Sequence, residues 1–161
     1  MEIERKFTIR ELPDLSEYSF HVMEQGYLNT DPVVRVRKED DTYYLTYKGK
    51  GLLAREEYNL PLNEEAYYHL ARKADGILIR KKRYLIPYET YTIELDVFEK
   101  PYEHLIIAEV EFESEEEAMA FQPPIWFDQD VTFDNRYSNA AMTEFSSLEE
   151  LLASSSEKNN K

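Results

Sequence analysis

The sequence predicts a mainly β domain of the α+β class, built on one antiparallel sheet with enough strands to close into a barrel. Apolar and charged residues alternate with a two-residue period over seven or eight separate segments, the signature of half-buried strands. Most of these segments are joined by short turns, which suits antiparallel neighbours. The composition agrees, with 13 Tyr and 8 Phe against 4 Gly in 161 residues.

The first predicted strand runs from Met1 to Ile9 and places Glu2, Glu4 and Lys6 on one face and Ile3, Arg5 and Phe7 on the other. Glu11 to Ser19, with Pro13, is a turn or a short helical piece. His21 to Leu28 is the second strand, followed by the turn Asn29-Thr30-Asp31-Pro32. Val33 to Lys38 and Thr42 to Lys48 form a hairpin about Glu39-Asp40-Asp41, with Arg35 and Arg37 in one phase. Lys48-Gly49-Lys50-Gly51 is a flexible link into a strand over Ala54 to Leu60.

A helix then starts at Asn63 as N-cap, carries an apolar stripe through Ala66, Tyr67, Leu70, Ala71 and Ala74, and stops at Gly76. Ile77 to Tyr88, Tyr91 to Phe98 and Leu105 to Phe112 return to strand periodicity. Ser114 with Glu115, Glu116 and Glu117 opens a helix that ends before Pro123-Pro124. Asp130 to Tyr137 is predicted as a last short strand, Ser138 to Phe145 as helical, and Ser147 to Ala153 as one or two more helical turns. Ser154 to Lys161 is a polar tail expected to be disordered. One domain over residues 1–145 and a C-terminal piece over 146–161 is the resulting organisation.

With no cysteine, disulfides and thiolate metal sites are excluded, and the composition suits a reducing cytosol. The expected location is cytoplasmic, because no apolar run reaches membrane-spanning length and the N-terminus lacks a signal-peptide apolar stretch. A net charge of −14, from 33 acidic and 19 basic residues, disfavours nucleic acid and anionic membrane surfaces as partners. A basic cluster focused in a cleft can still override that far field.

The charged residues fall as pairs two apart: Glu2 and Glu4, Arg35 and Arg37, Lys81 and Arg83, Glu94 and Asp96, Glu109 and Glu111. Lys6, Lys48, Glu57 and Arg136 fit the same surface. An antiparallel sheet with one solvated face has this pattern too, and periodicity does not distinguish an outward face from a barrel lumen. Forked arginine donors suit phosphate oxygens, and adjacent carboxylates suit a hard divalent cation.

Glu2-Ile3-Glu4-Arg5-Lys6-Phe7 resembles the ExExK signature of the CYTH superfamily, the triphosphate tunnel metalloenzymes. The resemblance continues in the family's order through Gln25-Gly26-Tyr27-Leu28, Arg35-x-Arg37, Leu45-Thr46-Tyr47-Lys48-Gly49 and Arg55-Glu56-Glu57-Tyr58. It extends to Lys81-x-Arg83-Tyr84, Glu94-Leu95-Asp96-Val97-Phe98, Ala108-Glu109-Val110-Glu111-Phe112 and the segment from Asp130 to Asn139. It implies a closed eight-stranded antiparallel barrel, a charged tunnel as its lumen, and helices packed outside.

The resemblance also implies roles. Glu2, Glu4 and Glu111 are the first choices as ligands for Mg2+ or Mn2+, with Glu109, Asp96 and Glu94 as further or water-mediated ligands. Lys6, Arg35, Arg37, Lys48, Lys81, Arg83 and Arg136 are expected on phosphate oxygens, with Lys6, Arg37, Lys81 and Arg83 as the catalytic set. Glu57 and Tyr27 join them as substrate-binding residues. Asn135 stands where many relatives carry a basic residue, and His21, His69 and His104 do not cluster. The short form resembles bacterial enzymes that hydrolyse inorganic tripolyphosphate, acting as monomer or homodimer on a small-molecule triphosphate. The alternatives are a class IV-type adenylate cyclase, a thiamine or nucleoside triphosphatase, and a noncatalytic polyphosphate-binding module.

Overall fold

The computed structural model describes residues 1–154, whose fold is one highly curled antiparallel sheet with short helices on both of its faces. In chain order the elements are β1 Glu2–Ile9, β2 Phe20–Thr30, β3 Val33–Glu39, β4 Thr42–Lys48, β5 Ala54–Arg55, β6 Glu57–Leu62 and α1 Glu64–Ala71. There follow β7 Asp75–Tyr88, β8 Tyr91–Phe98, β9 Ile106–Glu111, α2 Glu115–Ala120, β10 Phe127–Asp130, α3 Asn139–Met142 and α4 Leu148–Ala153. Helix starts follow side-chain chemistry: Asn63 accepts from the Ala66 amide at 2.7 Å and Ser114 from the Glu117 amide at 3.1 Å. Each such cap is worth about 1 kcal/mol.

Strands lie in the order β10-β1-β9-β8-β7-β2-β3-β4-β6, with β5 beside β1. The sheet is mainly antiparallel as expected but has ten strands rather than eight, and among the described residues hydrogen bonds do not close it into a ring. The cause is the segment from Ala54 to Leu62, which breaks at Glu56. Its first part pairs Arg55 with Glu2 of β1, and its second pairs Glu57 with Lys48 of β4.

Strand alternation separates two faces. On the outer face Ile3, Phe7, Ile93, Leu95, Ala108 and Val110 pack beneath Ala118 of α2 and Phe121. Helix α1 covers the outer side of β2 to β4, where fully buried Tyr67 donates from its hydroxyl to the Glu24 carboxylate at 2.7 Å. The inner face carries Ile79, Phe98 and Ile107 in the same phase as Lys81, Asp96 and Glu109. These apolar residues pack with Ala141 and Met142 of α3 and Leu151 of α4. The expectation that all helices pack outside is thus corrected: α3 and α4 floor the inner face, because that end of the sheet is apolar inside.

Two local expectations change as well. The segment predicted as a strand over Asp130 to Tyr137 is instead the end of β10, a turn, and a 3-10 helix at Asn135–Tyr137. The helix predicted to stop at Gly76 ends at Ala71 with Arg72 as its C-cap, and Gly76 lies in β7 with φ +66°. A Cβ there would lie 2.0 Å from the Thr143 carbonyl oxygen, so only glycine lets the end of α3 approach β7. The predicted turns over Ser147 to Ala153 are α4, while the polar tail beyond Ser154 lies outside the described residues.

Candidate functional site

The inner face encloses a cavity of about 980 Å3, walled by β1, β2, β3, β4, β6, β7 and β9, with α3 on its floor. Because alternate residues of each strand point inward, the two-residue charge pairs of the sequence become the wall. Glu2, Glu4, Lys6, Tyr27, Arg35 and Arg37 line it, together with Lys48, Glu57, Lys81, Arg83, Glu109 and Glu111.

The basic residues have partners of two kinds. Arg83 is gripped by carboxylates: Asp96 accepts from Nε at 2.8 Å and from Nη2 at 3.0 Å, Glu109 accepts from Nη2 at 3.1 Å, and Glu94 meets Nη1. Lys81 Nζ donates to Asp96 at 2.7 Å and to the Asn139 side-chain Oδ1 at 2.9 Å. Lys6 lies 3.7 Å from Glu109 and 3.9 Å from Glu4, and Lys48 lies 3.0 Å from Glu2 and 3.3 Å from Glu57. Arg35 and Arg37 instead meet neutral groups, Thr46 Oγ1 at 3.1 Å and Gln25 Oε1 at 2.8 Å. Arg35 Nε is buried without a partner among the described residues, a cost of about 1–3 kcal/mol that a bound acceptor would offset.

Burial shapes the charge states. It drives Lys81 down to about 7, with Arg83 and Arg37 adding to the effect against the pull of Asp96. Burial would raise Glu109 too, but Lys6, Arg83 and Lys81 hold it well below the usual carboxylate range. Glu2 is pushed up to about 8 by burial and by neighbouring Glu4.

Glu2, Glu4 and Glu111 form one acidic cluster, with a carboxylate oxygen of each within 4.8 Å of the others. Glu4 and Glu111 are directly opposed across the β1–β9 ladder, and Glu2 follows two residues along β1 on the same face. An all-oxygen donor set of this spacing fits a hard divalent cation, and a cation there would offset the crowding that raises Glu2.

Three expected site residues stand elsewhere. Asp96, expected as a further or water-mediated ligand, is fully buried, accepts from Lys81 and Arg83, and is not among the residues lining the cavity. Glu94 pairs with Arg83 and lines a separate cleft beside Glu111 and Glu117. Arg136 was expected on phosphate; its guanidinium forks onto Asp134 and donates to the Leu152 carbonyl at 2.9 Å, and it does not line the cavity. The 3-10 helix rather than a strand turns it away.

Sequence periodicity missed the uncharged residues of the site: Asn59, Asn135 and Asn139 on the cavity lining, and the fully buried Thr46 and Gln25 that hold Arg35 and Arg37. Their signal was parity alone, since Gln25 shares a phase with Tyr27, and Thr46 with Lys48. Arg55, 3.6 Å from Glu2, was also missed as a site residue.

Residues 1–125 match the CYTH domain. The chain belongs to the CYTH family. Among CYTH relatives, the inorganic triphosphatase of Nitrosomonas europaea is 39% identical over 146 residues, covering 88% of this chain and 95% of the relative. The inorganic triphosphatase of Acetivibrio thermocellus is 37% identical, covering 86% of this chain and 90% of the relative. The crystal structure of the inorganic triphosphatase NE1496 superposes with a TM-score of 0.66 at 35% identity, covering 91% of this chain and 97% of that one. The mainly antiparallel CYTH sheet is thus common to this chain and its structural relative.

Proposed function

We propose that this chain hydrolyses inorganic tripolyphosphate to pyrophosphate and phosphate in a divalent-cation-dependent reaction. The observation that carries the proposal is one cavity holding both the Glu2-Glu4-Glu111 cluster and a set of buried cations, with an unpartnered Arg35 donor among them. The inorganic triphosphatases at 37–39% identity support the same substrate.

Arg35 and Arg37 hold one part of the triphosphate, because their positive charge is not offset by a carboxylate in hydrogen-bond contact. Lys6, Lys81 and Arg83 hold phosphate oxygens nearer the carboxylates and offset charge that develops on the leaving pyrophosphate. Glu57, Lys48 and Tyr27 complete the lining. Mg2+ or Mn2+ held by Glu2, Glu4 and Glu111 would supply charge neutralisation and activation of the attacking water. Glu109 and Glu94 orient the basic residues that they grip. The proposal extends to a tunnel-like, functionally closed barrel, supported by β5 and β6 joining β1 to β4 through a single chain segment.

No helix among the described residues is long and apolar enough to cross a membrane, which is compatible with the proposed cytoplasmic setting. A panel of tripolyphosphate, ATP, thiamine triphosphate and pyrophosphate, each with Mg2+ or Mn2+ and with chelator, tests the substrate. Phosphate release from tripolyphosphate is expected. Cyclic AMP from ATP would replace the hydrolase by a cyclase, and tight tripolyphosphate binding without turnover would leave a binding module.

A further inference from the structure

Between two cavity cations lies a pair of buried amides that the proposed chemistry does not itself use. Gln25 is fully buried on β2, the strand between β3 and β7, and Asn139 is the 7% exposed first residue of α3. Gln25 Oε1 accepts from Arg37 Nε at 2.8 Å, and its Nε2 donates to Asn139 Oδ1 at 3.1 Å and to the Tyr27 hydroxyl at 3.2 Å. Asn139 Oδ1 also accepts from Lys81 Nζ at 2.9 Å. Arginine and lysine only donate, so each amide must turn its oxygen to its cation, which fixes both orientations.

We infer that Gln25 is a positioning residue: oriented by Asn139, it holds Arg37 in place as a neutral acceptor and leaves the arginine's positive charge for phosphate oxygens, whereas Lys81 shares its charge with Asp96. The inference rests on the triphosphatase reading for its substrate.

Three features support it. Arg83, Lys81, Lys6 and Lys48 are held by carboxylates, whereas Arg37 is held by an amide although the same wall is rich in acidic residues. A glutamate at position 25 would reach Arg37 equally well, so side-chain length alone does not explain glutamine. The local backbone is also arranged for this contact. The β2–β7 register shifts between Gln25 and Tyr27, and a Cβ on Gly26 would lie 2.7 Å from Leu78 Cδ2 and 2.8 Å from Ala74 Cβ. Glycine there lets β2 sit close under β7 and its preceding turn, with Gln25 and Tyr27 both turned inward.

A purely structural role, tying α3 to the sheet, would make the identity of residue 25 matter for stability alone. The isosteric change Gln25→Glu separates the two. It keeps the acceptor toward Arg37 and adds a carboxylate that neutralises the cation, but it also loses the Nε2 donor to Asn139 Oδ1, so retention of the fold is verified by thermal unfolding before affinity is compared. Tripolyphosphate affinity, measured by calorimetry with chelator present, should weaken by about tenfold or more, and KM should rise with a smaller change in kcat. In an Arg37→Ala background the same substitution should weaken affinity no further, since the two act as one unit. Gln25→Met, which removes the acceptor without adding charge, should weaken affinity less than Gln25→Glu.

Gln25→Glu affinity within twofold of wild type, or an equal loss in the Arg37→Ala background, would overturn the positioning role. Those outcomes with a wild-type chain that hydrolyses tripolyphosphate end this inference alone. A wild-type chain that binds without hydrolysing ends the hydrolase reading alone, and the same affinities still decide the amides. A wild-type chain that neither binds nor hydrolyses overturns both.

Discussion

Asp96 and Arg83 face each other across the β7–β8 ladder, and the fully buried carboxylate takes Nε at 2.8 Å and Nη2 at 3.0 Å of the guanidinium. The other Asp96 contact is Lys81, so one carboxylate sets two cavity cations. Removing its charge strands both donors in a dry environment, a change worth about 3–5 kcal/mol for a broken buried pair. Asp96→Asn should lower stability on that scale in urea unfolding and leave divalent-cation affinity near wild type. Intact stability with lost cation binding would instead make Asp96 a ligand.

Glu4 and Glu111 oppose each other across β1 and β9 and, among the described residues, share their cluster only with Glu2. Losing a neighbour of a metal ligand typically costs 10–100-fold in metal affinity, so losing a ligand should cost about as much or more. Glu4→Gln or Glu111→Gln should abolish cation-dependent turnover and keep the wild-type circular dichroism spectrum. Removing one crowded carboxylate should not lower thermal stability in chelator. Turnover equal to wild type would refute the ligand assignment.

Arg37 and Arg136 make a paired test, because both were expected on phosphate from the family resemblance and, of the two, only Arg37 lines the cavity. Arg37→Ala should raise KM for tripolyphosphate or slow turnover. Arg136→Ala should leave both near wild type and cost less than about 1 kcal/mol, since its partly exposed pair with Asp134 is solvent-screened. A KM change for Arg136→Ala matching that of Arg37→Ala would restore Arg136 to the substrate set.

Acid sensitivity should report the Arg5–Asp130 pair, 2.9 Å apart, that helps hold β10 to β1. Burial would raise Asp130, but hydrogen bonds from Thr132 and Arg5 lower it below its ordinary value of 3.8. A lowered folded pKa means that the carboxylate stabilises the fold above about 3.8 and that this contribution fades as pH falls through the folded value. Asp130→Asn should therefore melt below wild type at pH 6, with a difference that shrinks between pH 4 and pH 2. A difference independent of pH would assign the effect to hydrogen bonding alone.

The strand positions were legible in the sequence because charge and apolarity alternate cleanly along β1, β3, β7, β8 and β9, while the inward direction of the charged phase came from the resemblance to the CYTH family. Which of the inward residues meet the cavity was not, because periodicity carries no information on depth. Glu94 and Asp96 occupy the inward phase just as Glu109 and Glu111 do, yet of the four only Glu109 and Glu111 line the cavity, and packing alone separates the two pairs. The floor was hidden for a related reason. Ile79, Phe98 and Ile107 continue the charged phase as apolar residues, and nothing local says that α3 will enter there. Gln25 and Asn139, being uncharged, left no mark on the charge pattern.

The most direct measurement is the initial rate of phosphate release from tripolyphosphate by the purified chain, titrated with Mg2+ and repeated with Mn2+ and with chelator. Cation-dependent release of one phosphate and one pyrophosphate per substrate, abolished by chelator, is the expected result. No release with either cation, from a chain whose folding is verified, would contradict the account.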